Sequence, residues 1–164
     1  MHRRLKIIIA TTAWTFALTG CSSAALWGGS NELAEKNPQV ASASIEMHRE
    51  SGCGCCVSWA DYLRKHGASV DIVVNEKLEN FRTQQGVSKD ASSCHTALVE
   101  GYVVEGHVPV GAIDRLLEVK PDAVGIAMPG MPASSPGMGG VEAEWEKLPV
   151  MLINNDGSLT PFRF

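Results

Sequence analysis

Three cysteines crowd into four positions at Cys53-Gly54-Cys55-Cys56, and a fourth stands before a histidine in Ser93-Cys94-His95-Thr96. Cys53 and Cys56 are three apart, so on a helix their sulfurs share a face. A helix start presents unpaired N–H groups and a partial positive charge, which favour thiolate over thiol. That pair alone is the C-x-x-C arrangement of dithiol–disulfide exchange. Cys55 changes the chemistry. In a redox pair a third adjacent sulfur offers competing disulfides, whereas in a metal site it is one more soft donor. If Cys94 and His95 reach the same place, four sulfurs and an imidazole converge, and a thiolate metal centre is the reading.

Thiolates select Cu(I), Zn(II) or iron–sulfur centres, with copper favoured as the donors soften. Met128, Met131 and Met138 lie in one Pro/Gly-rich segment around Met128-Pro129-Gly130-Met131-Pro132. Thioether suits Cu(I) and serves Zn(II) poorly, so these methionines, with His95, are candidate ligands or neighbours of the ligands. Vicinal Cys55 and Cys56 do not comfortably chelate one small ion, but can place sulfurs on adjacent ions, which points to a bridged multinuclear cluster. Three other readings stay open: a thiol–disulfide oxidoreductase using Cys53 and Cys56, a structural zinc site of four cysteines, and a pair of disulfides.

The elements that must position these residues follow from pattern. Val57 to His66 fits a helix with Val57, Ala60 and Leu63 on one face, closed by Gly67. It follows a strand over Ala43–His48, with Met47 in the core. Val70–Val74 is a second strand and Leu78–Gln85 a second helix. Thr96–Val99 and Tyr102–Glu105 are strands across a tight Glu100-Gly101 turn, and Pro109–Lys120 is a third helix. The order β-α-β-α-β-β-α, with the cysteines where the first strand meets the first helix, predicts a thioredoxin-like α/β sandwich. In such folds the start of the third strand lies against the C-x-x-C motif, which would bring Cys94 there. Residues 121–140 read as a long wrapping loop, and Asn155-Asp156-Gly157 as the turn of a C-terminal β-hairpin. His107 reads as structural, capping the third helix or facing the site. His66 suits a helix C-terminus in its cationic form. Trp59 and Tyr62 read as packing or surface residues, and Asp61, Arg64 and Lys65 as a solvated face.

The N-terminus predicts export. Arg3, Arg4 and Lys6 precede the apolar run Ile7–Leu18, and residues 1–20 contain no acid. Twelve residues rise only about 18 Å, short of a hydrocarbon core of about 30 Å. Leu18-Thr19-Gly20-Cys21 then resembles a bacterial lipobox, with Cys21 the lipidated residue. Ser22 follows it, so the periplasmic face of the outer membrane is favoured. The expected layout is a lipoprotein signal over 1–20, a lipidated tether over 21–41 and a metal-binding domain over 42–164. The only membrane contact expected is through the lipid. Past residue 20 the chain has 11 basic against 18 acidic residues, which leaves no basic cluster for nucleic acid.

Taken with Gly101-Tyr102-Val103-Val104-Glu105-Gly106-His107-Val108-Pro109, Gly130-Met131-Pro132 and Ser135-Pro136-Gly137-Met138, the cysteine motifs resemble the CopG family of periplasmic copper-resistance proteins. The resemblance spans roughly residues 43–164. It implies a thioredoxin-like domain with a cysteine-bridged multinuclear copper cluster on Cys53, Cys55, Cys56 and Cys94. It also implies a role in copper resistance, an interconversion of Cu(I) and Cu(II), and exchange of copper ions with other periplasmic copper-handling proteins.

Overall fold

The structure, a computed structural model, describes residues 28–164. The expected signal segment and Cys21 lie outside the described residues. Among those described, no helix is long and apolar enough to cross a membrane.

Seven strands form one mixed sheet in the order β2-β1-β3-β4-β5-β6-β7. They are β1 (Ser44–Arg49), β2 (Ser69–Val74), β3 (His95–Val99), β4 (Tyr102–Glu105), β5 (Gly125–Ala127), β6 (Met151–Ile153) and β7 (Leu159–Pro161). β1 runs parallel to β2 and antiparallel to β3, β3 is antiparallel to β4, and β4 is parallel to β5. The helices are α1 (Gly28–Lys36), α2 (Pro38–Ala41), α3 (Gly54–Lys65), α4 (Leu78–Gln84) and α5 (Val110–Val119), with a 3-10 turn over Glu142–Lys147. The mixed α/β class expected from the sequence is found. So are every strand and helix assigned between residues 43 and 120, each within a few residues of its expected ends. The C-terminal hairpin is there too: the Gly157 amide bonds Asn154 O across the turn.

The core forms where α3 and α5 lay their apolar stripes against the sheet. Ile45, Met47, Ala97, Val99 and Val104 meet Trp59, Leu63, Ile113, Leu116 and Leu117, all buried. The buried face of α3 is Cys56, Trp59, Ala60 and Leu63, while Val57 is only half-buried. The face is thus rotated from the one anchored on Val57. Trp59 is fully buried because its indole N–H finds the Val108 carbonyl at 2.9 Å, so the ring is lodged without an unmet donor.

Two features differ from the sequence reading. Residues 121–140 contain β5, which joins the sheet beside β4. Three residues leave no alternation to detect, and Gly125 permits the approach: a Cβ there would collide with the Val103 carbonyl. The expected tether, where it is described, is also helical over α1 and α2, and its end packs on the domain. Val40 is buried, and Asp114 on α5 accepts from the amides of Gln39 and Val40 at 2.8 and 3.1 Å. Folded packing therefore begins by residue 37, before the expected boundary at 42. His66 caps α3 as expected and is buried there against Asn37. Burial lowers its pKa, so the expected cationic form is not the favoured one.

Candidate metal centre

The C-terminal end of β1 turns through Gly52 into the first turn of α3. This places Cys53 at the N-cap and Cys55 and Cys56 in the first turn. Cys94 immediately precedes β3, the strand paired to β1, with His95 opposite Arg49. The sulfurs of Cys53, Cys55, Cys56 and Cys94 all lie within 4.8 Å of one another. Cys56 Sγ is 3.7 Å from Cys94 Sγ, and Cys53 Sγ is 3.5 Å from Cys55 Sγ. The convergence that the sequence reading requires is met.

Cys53 and Cys56 form a disulfide, while Cys55 and Cys94 are free thiols. Burial first, and the neighbouring Cys55 second, push the Cys94 thiol up to about 12. Cys94 is therefore a protonated thiol at neutral pH, and a bound cation must displace that proton. A cleft lined by Glu50, Ser51, Gly52, Cys53, Leu78, Arg82, Ser93 and Cys94 opens the cluster to solvent.

A second donor set shares two of these sulfurs: Cys56 and Cys94 with His95 and His107, again within 4.8 Å. Both imidazoles are fully buried. His107 Nδ1 lies 2.7 Å from Pro136 O, and a carbonyl can only accept, so Nδ1 carries the proton. Nε2 is then left with a lone pair, and it points at Cys94 Sγ from 2.9 Å. Burial holds the His107 pKa below its ordinary value, which keeps that lone pair free of a proton. His95 is held well below the usual histidine value, by burial first and then by His107 and Arg82. Its Nδ1 is 3.5 Å from Cys94 Sγ, and its Nε2 is buried with no hydrogen-bond partner. Neutral imidazoles beside thiols suit a soft or borderline metal.

Of the two places the sequence leaves open for His107, the structure takes the second: it faces the cluster, and the residue at the N-cap of α5 is Pro109. The signal was in the hairpin. The tight turn at Glu100-Gly101 pairs Val99 with Tyr102 and Thr96 with Glu105, and the same register carried outward sets His107 across from Cys94.

The methionine loop meets the site through its backbone. Pro136 O fixes His107, and Gly137 rests on the first turns of α3. A Cβ at Gly137 would stand 2.7 Å from Trp59 N and 3.0 Å from Cys55 O, and its φ is +80°. Met128 is fully buried in the same core as Cys56. Met131 and Met138 are partly exposed, at 39% and 36%.

Residues 91–138, which hold Cys94, His95, His107 and the methionine loop, match a family described as a protein of unknown function, DUF411. No curated protein matches the chain. Two solved structures do, both of a copper resistance protein copG. Form 2 is 34% identical, covers 73% of this chain and 94% of its own, and superposes with a TM-score of 0.65. Form 1 is 33% identical over 74% and 98%, with a TM-score of 0.64. The chain belongs to the CopG family. Membership extends well beyond the DUF411 segment, since about three quarters of the chain aligns with the CopG structures.

Proposed function

We propose that this chain binds copper in the service of copper resistance, holding Cu(I) on the thiolates of Cys53, Cys55, Cys56 and Cys94. One observation carries the reading: four sulfurs from a helix start and a distant strand lie within 4.8 Å of one another. They do so in a relative of proteins named for copper resistance. A structural zinc site closed by four cysteines would have no use for the two neutral imidazoles that share Cys56 and Cys94. The sharing of Cys56 and Cys94 between two donor sets supports bridging sulfurs, and hence a multinuclear cluster. His95 and His107 serve as nitrogen donors at its inner side, and Met128, Met131 and Met138 lie in the loop that covers it.

The disulfide makes the site redox-dependent. Two of the four sulfurs become thiolates only after an external dithiol or equivalent reductant supplies the two electrons that cleave the Cys53–Cys56 bond and is itself oxidised. Interconversion of Cu(I) and Cu(II) at such a site is part of the proposal. We read β1 to β4 with α3, α4 and α5 as a thioredoxin-like sandwich, since their order and directions place a cysteine pair where the first strand meets a helix. We further propose an exported lipoprotein: a signal over 1–20, lipidation at Cys21 and a short tether, with the domain at the periplasmic face of the outer membrane. Copper would be exchanged there with other periplasmic copper-handling proteins.

The test is competition. Reduced protein under anaerobic conditions should withdraw Cu(I) from a chelator with a thiolate-to-copper band in the ultraviolet, and should prefer Cu(I) to Zn(II). Tight zinc binding with no response to Cu(I) would establish a structural zinc site instead. Rapid reduction of insulin by metal-free protein would favour a thiol–disulfide oxidoreductase.

A further inference from the structure

One buried ion pair sits behind the cysteines. Glu105, at the end of β4, is fully buried, and Arg82 on α4 is nearly so. Burying such a pair is costly, and well-packed apolar side chains of similar size often serve stability equally well. The bonds it makes explain its place. Glu105 Oε1 accepts from Arg82 Nε at 2.9 Å and from the Ser93 amide at 2.6 Å. Its Oε2 accepts from Thr96 Oγ1 at 2.6 Å. The Arg82 guanidinium in turn donates to the Ser93 carbonyl. Both backbone groups of the residue before Cys94 are thus held by side chains, and Thr96, two residues after it, is held by the same carboxylate. The Glu105 carbonyl also receives the Met128 amide at 2.9 Å, where the methionine loop begins.

We infer that Arg82 and Glu105 are positioning residues, which hold Cys94 and His95 within bonding range of the helix-borne sulfurs. The inference rests on the copper reading above. Cys94 lies at the end of the connection from α4 to β3, in which residues 85–94 carry only turns. Cys55 and Cys56 are held in the first turn of α3 and Cys53 at its N-cap, whereas Cys94 stands one residue ahead of β3, and the residue before it is held by the clamp. The planar guanidinium fork matters as much as the charge, because one edge grips the carboxylate while another reaches the carbonyl. Outer partners that orient metal ligands typically govern affinity by 10–100-fold.

Two variants of the purified mature protein test this. Arg82→Lys keeps a cation opposite Glu105 but has no fork. The double variant Arg82→Met/Glu105→Leu removes the clamp without leaving a buried charge alone. Expected for both is a Cu(I) affinity lowered by about 10–100-fold in chelator competition, with cooperative unfolding retained. In reduced, metal-free protein, iodoacetamide should label Cys94 several-fold faster in the variants than in wild type. Wild-type Cu(I) affinity and labelling rate in a folded double variant would overturn the inference. So would loss of the fold in both variants, since the pair would then be holding the domain and not Cys94. If wild type itself ignores Cu(I), the copper reading fails, while the labelling arm still decides the positioning role.

Discussion

Replacing His107 by Asn isolates what its Nε2 does. The asparagine amide can still donate to Pro136 O, the bond that His107 Nδ1 makes at 2.7 Å, so the loop over α3 keeps its anchor. Nothing in Asn reaches Cys94, and the 2.9 Å contact to its sulfur is lost. The structural cost is then a small cavity where the rest of the ring lay, about 1–2 kcal/mol, or a few degrees in Tm. The cost to the site is larger in proportion. Losing a nitrogen donor, or the acceptor of the Cys94 S–H hydrogen bond, should weaken Cu(I) binding by about 10–100-fold, equivalent to about 1.4–2.8 kcal/mol. The assay is anaerobic Cu(I) competition against a chelator, with urea unfolding of the metal-free protein alongside. Unchanged Cu(I) affinity and stoichiometry in a folded variant would refute the assignment of His107 to the copper site. His107→Ala is the less informative change, because it also strands the Pro136 carbonyl, at about 1–3 kcal/mol.

Cys94→Ser should lower copper stoichiometry and leave the circular dichroism spectrum unchanged; full stoichiometry would show that Cys94 is no ligand. In protein starting at residue 22, alkylation should find two free thiols, Cys55 and Cys94, before reduction and four after it, counted by mass spectrometry. Gly137→Ala should destabilise by at least about 1–3 kcal/mol in urea unfolding, because a β-carbon at φ +80° would press on the Trp59 amide. Burial holds His66, His95 and His107 below the ordinary histidine value. As pH falls through about 6.5 the unfolded chain therefore takes up protons that the folded chain refuses. Stability of reduced, metal-free protein should drop toward acid from there, by up to about 1.4 kcal/mol per pH unit for each histidine. A flat profile between about pH 6.5 and 5.5 would contradict the burial of these rings.

What could be read from the sequence is what local pattern dictates. Alternation in Ile45-Glu46-Met47 marked a strand, Gly67 ended α3, and Asn155-Asp156-Gly157 marked a hairpin, since each follows from backbone sterics within a few residues. Cys94 could be placed because strand order, once inferred, sets which strand start faces the helix. His107 was legible in principle, through the hairpin register, but a histidine before a helix also suits a cap, and only the register separates the two. The Arg82–Glu105 pair left no local trace: one residue lies on an amphipathic helix and the other ends a strand, 23 positions apart. β5 was hidden by its length, and the packing of Val40 by the small, polar residues around it. Tertiary contacts such as Asp114 with residues 39 and 40 carry no periodicity at all.

Elemental analysis of the domain, purified without oxygen from copper-supplemented cells, bears most directly on what the clustered sulfurs hold. More than one copper per chain, with no zinc, is the expected composition. One zinc per chain, or protein free of metal with its four thiols intact, would contradict a copper–thiolate cluster.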